Sequence, residues 1–288
     1  GESLYKLMDA EGVTSAWGVP TIWLGLLAEM RKNGKKPNGF QYMLVGGSAV
    51  PRSMIAEFEI DFDVRVVHGW GMTETSPVGS TTTFGPAMRA LPQEKQIDLK
   101  VSQGRRMYTV DIRIVDDEGG LLPNDGEAFG ELQVRGHAVM NGYFDDKEAS
   151  VAALTDDGWL RTGDVAKIDY DGFVSLVDRT KDVIKSGGEW ISSIDLENAA
   201  QGHAAIKECA VIAAMHPKWA ERPLLIVVLE QGKEVTPEEI KEYLADKVAK
   251  WWLPDDVLFI DELPHTATGK ISKLTLRNLF ADHVLSTV

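Results

Sequence analysis

Four segments of the sequence contain residue types that can bind a nucleotide or take part in phosphate chemistry. The first follows an apolar, strand-like run and contains Gly47, Ser48 and Ala49. Small residues at the end of a strand let a flat ring or a phosphate group approach the backbone closely. The same pattern is typical of an ordinary tight turn between a strand and a helix, and this segment taken alone favours the turn.

The second segment also follows a strand-like run, and it consists of His68, Gly69, Trp70, Gly71, Met72, Thr73 and Glu74. Its glycines expose backbone, the hydroxyl group of Thr73 can reach a phosphate oxygen, and the carboxylate of Glu74 can hold a hard cation such as Mg²⁺. Glu74 stands where the dinucleotide-binding pattern GxGxxG requires its last glycine, which excludes that pattern. A loop with a capping threonine and a solvated glutamate explains the segment equally well, and a lone histidine such as His68 is more often structural than catalytic.

The third segment offers Asp164 and, further along the chain, Arg179. The carboxylate of an aspartate can accept hydrogen bonds from two vicinal ribose hydroxyl groups, and a nearby arginine can add a donor to the same sugar. An aspartate in a turn and an arginine in a surface ion pair are the simpler explanation when the two residues are considered alone.

The fourth segment presents Lys270 directly after Gly269. The ammonium group of such a lysine can stabilise the negative charge that develops between a carboxylate and an α-phosphate. Pro264 stands where the phosphate-loop pattern GxxxxGK[ST] requires its first glycine, so that pattern is excluded. An exposed lysine before a helix is the simpler explanation of this segment alone.

The elements around these segments predict an α/β fold with a boundary near residues 178–182. In the first third of the chain, strand-like runs lead into glycine turns and helices, which is typical of α/β layers. Residues 100–178 alternate apolar and polar side chains between turn signals, and this predicts a small β-rich unit of hairpins. Beyond the boundary, strands alternate with helices, and Thr236, Pro237 and Glu239 predict a helix start with a capping box.

Composition and charge narrow the function classes. The 288 residues are 44% hydrophobic, which is enough for the core of one large domain or of two ordinary ones. The formal net charge of −14 repels phosphate backbones, so a nucleic-acid partner is not expected. The single cysteine, Cys209, lies in an apolar run and is interpreted as a core residue, which fits a protein of the reducing cytoplasm. No apolar run approaches the length of a transmembrane helix.

Taken together, the order of the segments resembles the adenylate-forming superfamily of acyl-CoA synthetases, luciferases and peptide-synthetase adenylation domains. The chain reads Gly-Gly-Ser-Ala, then Gly-Trp-Gly-Met-Thr-Glu, Arg-Thr-Gly-Asp, Asp-Arg-x-Lys-Asp and a late Gly-Lys. The resemblance covers nearly all 288 residues. Residues 185–192 and 250–257 are similar to the medium- and long-chain fatty acyl-CoA ligases, including the methylmercaptopropionate-CoA ligases.

The resemblance implies that residues 1–178 are the C-terminal part of the large AMP-binding domain, with α/β layers and a small β-rich unit. Residues 179–288 are implied to form a small, mobile α+β domain. The implied activity is that of an ATP-dependent ligase for a medium-chain, long-chain or methylthio-substituted carboxylic acid. Such a ligase makes an acyl-adenylate, transfers the acyl group to coenzyme A and releases AMP and pyrophosphate. Mg²⁺ is the implied cofactor, and a homodimer is common among such relatives.

The same resemblance implies the binding residues. The residues implied to bind ATP or AMP are Gly47, Ser48, Ala49, His68, Gly69, Trp70, Gly71, Met72, Thr73, Asp164, Arg179 and Lys270. Within this set, Asp164 and Arg179 are implied to bind the ribose hydroxyl groups. The residues implied to line the coenzyme A tunnel are Ser186, Gly187, Gly188, Glu189 and Trp190.

Three residues are implied to be catalytic. Thr73 would contact the α-phosphate, Glu74 would hold Mg²⁺, and Lys270 would stabilise the charge of the adenylation step. Lys181 is implied to be the hinge about which the small domain rotates. The rotation would exchange Lys270 for the coenzyme A loop, because one closed arrangement cannot serve both half-reactions.

One large departure from the family concerns its phosphate loop. The family carries a loop rich in Ser, Thr and Gly, with a lysine, in its N-terminal half, and this chain has no such segment. Residues 1–28 match the middle of the family, so the chain is expected to be the C-terminal portion of a longer enzyme. Alternatives are a nucleotide- or acyl-binding module that is inactive on its own, an interaction protein with the same fold, and an aryl-CoA ligase or luciferase.

Overall fold

The computed structural model describes residues 1–48, 50–266 and 270–288. The chain divides into two compact units, Gly1–Leu176 and Val177–Val288. Ala49, which is implied to border the adenine, lies outside the described residues. In the part of the chain that the structure describes, no helix is both long enough and apolar enough to cross a bilayer.

A five-stranded sheet in the first unit carries the predicted nucleotide segments. Its strands, in spatial order, are β1 (Ser15–Gly18), β2 (Tyr42–Val45), β3 (Arg65–Trp70), β4 (Ser80–Thr81) and β5 (Arg105–Arg106). The first three strands are parallel, and β4 and β5 continue the sheet in antiparallel fashion. The parallel strands end at one edge of the sheet, so the segments that follow β2 and β3 are neighbours there.

Helices accompany this sheet, and the apolar residues of the first three pack into its core. They are α1 (Glu2–Ala10), α2 (Pro20–Asn33), α3 (Arg52–Ala56), α4 (Pro86–Arg89) and α5 (Gln93–Val101), and a π-helical turn at Glu57–Asp61 extends α3. In α2, the proline suits the first turn and the chain leaves the helix through the left-handed Gly34. Trp23, Leu27 and Met30 lie on the buried face of α2, which packs into the core of the first unit.

The predicted β-rich unit is a four-stranded sheet. It consists of β6 (Asp111–Val115), β7 (Phe129–Arg135), β8 (Leu160–Ile168) and β9 (Val174–Arg179), in that order, with α6 (Lys147–Ala153) between β7 and β8. Inward-facing residues of these strands form a separate apolar cluster that includes Leu132, Val134 and Leu160. The division between the two units falls within β9.

The second unit is built around a long hairpin. Its strands are β10 (Ile184–Ser186), β11 (Glu189–Ile191), β12 (Ile206–His216), β13 (Ala220–Leu229) and β14 (Asp256–Phe259), and its helices are α7 (Ser193–Gln201), α8 (Pro237–Ala245) and α9 (Lys273–Leu279). Strands β12 and β13 are antiparallel, and β14 lies parallel to β13. Cys209 is buried in this sheet, and burial raises the pKa of its thiol, so the thiol is a core group and not a nucleophile.

The α/β class predicted from the sequence is confirmed, and so is the capping box. The Thr236 hydroxyl accepts the Glu239 backbone N–H at 3.2 Å, and the Glu239 carboxylate accepts the Thr236 backbone N–H at 2.8 Å. The two bonds satisfy backbone donors that a helix N-terminus otherwise leaves without partners.

Strand β3 is fixed against α5 by buried polar groups. Lys100 and Glu59 form a buried ion pair, and the Glu59 carboxylate also accepts the Val66 backbone N–H at 2.8 Å. The His68 Nδ1 atom lies 3.0 Å from the Lys100 carbonyl oxygen. A carbonyl oxygen can only accept, so Nδ1 carries a proton, and burial, which lowers the pKa of His68, keeps the ring neutral.

Gly104 provides a test of close backbone packing. It has a φ of +79°, and a Cβ atom there would overlap the backbone of Thr81, whereas Gly119 has a φ of +84° and open space around it. We expect Gly119→Ala to lower the free energy of unfolding by about 1–3 kcal/mol through backbone strain. Gly104→Ala should cost about 1–3 kcal/mol more, because the backbone at Thr81 must move. Urea unfolding of both variants measures the difference, and equal losses would contradict the packing argument.

His68 provides a test of acid sensitivity. Burial lowers its pKa to about 4, whereas an unfolded histidine titrates near pH 6.5. The unfolded chain therefore takes up this proton first as the pH falls, and stability is lost between about pH 6.5 and pH 4. We expect His68→Gln to lose about 2 kcal/mol less unfolding free energy than the wild type between pH 7 and pH 5.

Urea unfolding at the two pH values measures this difference. His137→Gln is the matched control, since His137 is exposed in the folded state. The control should keep the wild-type dependence on pH. An unchanged dependence in His68→Gln would show that other groups cause the acid sensitivity.

Candidate active site

The segment predicted to contact the nucleotide runs from the end of β3 into a short 3₁₀ turn, Thr73–Thr75. Packing within the protein explains why glycine occupies two positions of this segment, without any ligand. A Cβ atom at Gly71 would overlap the carbonyl group of Pro77, and one at Gly69 would lie 3.0 Å from the Ser80 carbonyl oxygen. The segment therefore packs closely on the chain that returns from it as β4.

Residues 46–48 lie beside this segment. The register pairs Val45 of β2 with His68 of β3, and a Cβ atom at Gly46 would lie 2.7 Å from the Gly69 carbonyl oxygen. Gly47 and Ser48 are exposed at this edge of the sheet. The two small-residue segments that the sequence indicated are therefore brought together, as the ends of adjacent parallel strands.

The turn after β3 is held in shape by Thr75, which sequence reasoning missed. The Thr75 hydroxyl oxygen accepts the Met72 backbone N–H at 3.0 Å and lies within hydrogen-bond distance of the Met72 and Pro77 carbonyl oxygens. Thr75 is buried, whereas Thr73 is exposed. The turn thus presents the Thr73 hydroxyl to solvent on a fixed backbone.

Glu74, the predicted metal ligand, is held by a segment far along the chain. Its carbonyl oxygen accepts the Met140 backbone N–H at 2.8 Å, and its carboxylate oxygen Oε1 accepts the Tyr143 hydroxyl at 2.9 Å. The bond to Glu74 raises the pKa of Tyr143, so the phenol keeps its proton and acts as the donor. Sequence reasoning missed Tyr143, because no local pattern links it to a residue 69 positions away.

The donor set around Glu74 suits Mg²⁺ bound together with a phosphate-bearing ligand. The described residues contain no group of three or more His, Cys, Asp or Glu side chains that could enclose a metal ion. Mg²⁺ in nucleotide sites commonly has one or two carboxylate ligands, with waters and substrate phosphates completing its shell. A single, partly exposed carboxylate at Glu74 fits that arrangement.

Asp164, predicted to bind ribose, lies within reach of the segment after β3. Its Oδ2 atom accepts a hydrogen bond of 2.7 Å from the indole Nε1–H of Trp70. Both residues are in the first unit, and both side chains are buried. Arg179, the other predicted ribose ligand, is exposed at the end of β9, in the second unit.

The loop predicted to bind coenzyme A is the turn of the β10–β11 hairpin. Gly187 and Gly188 have φ values of +61° and +90°, as a two-residue hairpin turn requires. The Gly187 backbone N–H donates to the Trp219 carbonyl oxygen at 2.8 Å. The Trp190 ring is half-buried, with the Lys185 Nζ atom 4.9 Å from its centroid.

The remaining loop residues differ in exposure. Ser186 is buried and accepts a bond of 3.2 Å from Arg222, whereas Glu189 is exposed. The hairpin therefore has a turn anchored to the body of the second unit.

Lys270 is exposed close to the start of α9. Its carbonyl oxygen accepts the Thr266 backbone N–H at 2.7 Å, and its backbone N–H donates to the Thr266 hydroxyl at 3.2 Å.

Helix α9 links the surroundings of Lys270 to the predicted hinge through charged side chains. Lys273 forms an ion pair of 2.8 Å with Glu197 and also donates to Ser193, both on α7. One turn later, Arg277 pairs with Asp182 and donates to the Lys181 carbonyl oxygen at 3.4 Å. The lysine predicted to act in catalysis and the lysine predicted to be the hinge are thus attached to the two ends of one short helix.

Sequence reasoning missed this charge cluster, in which Asp178 is buried and Lys273 and Glu197 are partly buried. Burial raises the pKa of Glu197 and of Asp178. Burial alone would lower the pKa of Lys273, but the carboxylates of Glu197 and Asp178 raise it. A buried lysine with two carboxylate partners stays charged, and removing one partner leaves uncompensated charge in the interior.

Comparison with known proteins gives the family. The sequence profile of the AMP-binding enzymes matches residues 1–144, and that of the AMP-binding enzyme C-terminal domain matches residues 195–270. The chain is 49% identical over 282 residues to the 3-methylmercaptopropionyl-CoA ligase of Ruegeria lacuscaerulensis, covering 98% of this chain and 52% of the relative. It is 49% identical over 285 residues to the medium-chain-fatty-acid–CoA ligase of Ectopseudomonas oleovorans, covering 99% and 52%.

Solved structures agree with this assignment. ATP-bound MatB from Rhodopseudomonas palustris superposes with a TM-score of 0.84 at 26% identity, covering 98% of this chain and 53% of that protein. The o-succinylbenzoate CoA synthetase of Bacillus subtilis, in complex with its acyl-adenylate intermediate, gives a TM-score of 0.82 at 29% identity, covering 99% and 54%. The chain spans about half the length of the curated relatives it matches. By its sequence profile and its fold, the chain belongs to the family of AMP-binding enzymes.

Proposed function

We propose that this chain is part of an ATP-dependent acyl-CoA ligase. The enzyme would activate a medium-chain, long-chain or methylthio-substituted carboxylic acid as an acyl-adenylate and pass the acyl group to coenzyme A. AMP and pyrophosphate would be released. The observation that carries the proposal is the meeting, at one sheet edge, of residues 46–48, the segment from Gly69 to Glu74, and Asp164. The names of the most similar relatives support the acid class.

The nucleotide would lie on the sheet edge of the first unit. Gly47 and Ser48 are small and exposed, so a flat adenine ring could approach their backbone. Asp164 would accept hydrogen bonds from the ribose hydroxyl groups, and Arg179 would add a donor. Thr73 would contact the α-phosphate, since its hydroxyl is exposed on a turn that Thr75 fixes.

The proposal includes Mg²⁺ at Glu74. Bound Mg²⁺ would neutralise phosphate charge that otherwise repels the attacking carboxylate. The residues of the chain supply the fixed frame for this chemistry. Met140 and Tyr143 hold the backbone and the carboxylate of Glu74, so the carboxylate is oriented before any ligand arrives.

The second unit would supply a different group to each half-reaction. We propose that Lys270 stabilises the charge of adenylation and that residues 186–190 guide coenzyme A in the second step, with Lys181 as the hinge. The contacts of α9 support a rigid-body movement. Since Lys273 and Arg277 fix α9 to α7 and to the segment of Lys181, a rotation at Lys181 would carry Lys270 with it.

Domain boundaries, location and assembly belong to the same proposal. We propose residues 1–178 as part of the AMP-binding domain and residues 179–288 as its small C-terminal domain. We propose a cytoplasmic location, since the single cysteine is free and buried and disulfides are rare in a reducing compartment. The family resemblance alone supports a homodimer, which light scattering of the purified protein tests.

An inactive nucleotide-binding module is the second candidate. It is favoured by one observation, that the chain spans about half of each curated relative. ATP–pyrophosphate exchange separates the two candidates. It should be measured with short to long fatty acids and methylmercaptopropionate, on the full-length protein and on this 288-residue chain. Exchange in the full-length protein supports a ligase, and no exchange in either sample with any acid supports the binding module.

Lys270 provides a test of the adenylation step. We expect Lys270→Ala in the full-length protein to slow ATP–pyrophosphate exchange by about 100-fold, because a positioned charge that stabilises the transition state is lost. Thioester formation from a supplied acyl-adenylate should keep its rate. Lys233→Ala, which removes an exposed lysine from a turn of the same unit, is the control and should leave exchange unchanged. Unchanged exchange in Lys270→Ala would remove Lys270 from the mechanism.

Trp190 provides a test of the coenzyme A step. We expect Trp190→Ala to slow thioester formation by roughly tenfold or more and to spare adenylation, because the ring would form one wall of the thiol path. Stopped-flow or quenched-flow assays of the separate half-reactions measure both rates. Trp251→Ala, at another partly exposed tryptophan of the second unit, is the control. Equal slowing of both half-reactions would count against a role specific to coenzyme A.

A further inference from the structure

The indole N–H of Trp70 and the carboxylate of Asp164 form a buried hydrogen bond that the proposed function has not used. The two residues are 94 positions apart, and Nε1 of Trp70 lies 2.7 Å from Oδ2 of Asp164. Trp70 is 6% exposed and Asp164 is 4% exposed. A carboxylate so far removed from water requires hydrogen-bond donors from the protein. The bond to Trp70 is therefore a determinant of where the carboxylate points.

The Trp70 ring is itself fixed by packing. A Cβ atom at Gly79 would overlap the six-membered ring of Trp70, so the ring lies directly on the Gly79 backbone. The Gly79 backbone N–H donates to the Trp70 carbonyl oxygen at 2.9 Å. Leu132 and Val134 belong to the apolar cluster that also contains the Trp70 ring. These contacts hold the Trp70 ring in one orientation.

The backbone of Asp164 is held separately from its carboxylate. The Asp164 backbone N–H donates to the Thr162 hydroxyl oxygen at 3.1 Å, and that hydroxyl donates to the Leu132 carbonyl oxygen at 2.6 Å. Gly163, between the two residues, has a φ of +70°. The main chain of β8 is thus positioned by Thr162, and the indole N–H acts on the side chain of Asp164.

We infer that Trp70 is a positioning residue for ribose recognition. Its indole N–H fixes the carboxylate of Asp164 in the orientation that accepts hydrogen bonds from two vicinal ribose hydroxyl groups. This inference rests on the proposed function, in which Asp164 binds the ribose. A carboxylate can accept about four hydrogen bonds, so the bond from the indole does not in itself exclude bonds from two ribose hydroxyl groups. Trp70 therefore acts through Asp164 and contributes to the choice of ribose over deoxyribose.

The test measures ribose preference by calorimetric titration of the full-length protein with AMP, 2′-deoxy-AMP and 3′-deoxy-AMP. We expect Trp70→Phe to reduce the preference for AMP over both deoxynucleotides by about tenfold, because a hydrogen bond to a charged group loses its orientation. The affinity for the deoxynucleotides themselves should change little. A loss of affinity that is equal for all three ligands would overturn the inference, since it would indicate a general packing or stacking role.

A second variant separates the effect of the indole N–H donor from the effect of the ring's shape. Replacement of Trp70 by 3-benzothienylalanine, introduced by codon suppression, exchanges the N–H for a sulfur atom and keeps the bicyclic ring. This variant should lose the ribose preference as Trp70→Phe does, and it preserves the packing on Gly79. Retention of the preference with the sulfur analogue would overturn the inference even if Trp70→Phe failed to fold.

Matched controls complete the design. Trp23 is 1% exposed in the same unit, and its indole N–H has no hydrogen-bond partner in the described structure, so Trp23→Phe removes a buried N–H without breaking a bond. Trp23→Phe should keep the wild-type preference. In an Asp164→Ala background, Trp70→Phe should change the preference no further, because the two residues act as one unit.

The outcomes distinguish the inference from the function on which it rests. If the wild-type protein shows no preference for AMP over the deoxynucleotides, the ribose role of Asp164 is wrong, and the inference fails with it. If the wild type shows the preference, Asp164→Ala removes it and Trp70→Phe retains it, the ribose role stands and the inference alone is overturned.

Discussion

The parallel pairing of β2 with β3 is the constraint on which the candidate site depends. The pairing brings residues 46–48 and the segment from Gly69 to Glu74 to one edge of the sheet. Close approach of the two strands leaves no space for a side chain at Gly46, and the returning chain at Pro77 leaves none at Gly71. Once Gly71 is packed against the returning chain at Pro77, the backbone path through Thr73 and Glu74 is set. The side chains that could meet a nucleotide therefore start from a rigid frame.

Local patterns in the sequence predicted the elements, but they did not reveal the contacts between elements. The capping box at Thr236 and the strands of the second unit follow from short-range spacing, and both are confirmed. The glycines after β3 were interpreted as backbone exposed to a ligand, whereas the structure gives them a packing partner at Pro77. The bonds from Tyr143 to Glu74 and from Trp70 to Asp164 join residues 69 and 94 positions apart. Periodicity and propensity carry no information about pairs at such separations.

The charge cluster of the second unit was missed for a different reason. No local pattern marks Lys273, Glu197 and Asp178 as members of one cluster, and charged residues are usually exposed. Their burial is explained by mutual compensation, since the lysine meets carboxylates from two separate segments. An ion pair of this kind adds little net stability compared with apolar packing, but it fixes one geometry because any other leaves buried charge. A single fixed geometry suits helix α9, because both Lys181 and Lys270 lie beside it.

The overall charge of the chain makes the local donors decisive. With a net charge of −14, this chain would not attract the proposed ligands ATP and coenzyme A over long distances, because both are anions. In the proposed site, binding would then rely on short-range groups such as the Thr73 hydroxyl and the Lys270 ammonium group. In such a site, a binding group that is out of position weakens binding more than the absence of long-range attraction does. In the proposed enzyme, the residues that hold Glu74 and Asp164 in place would therefore bear on function as directly as the residues that touch the nucleotide.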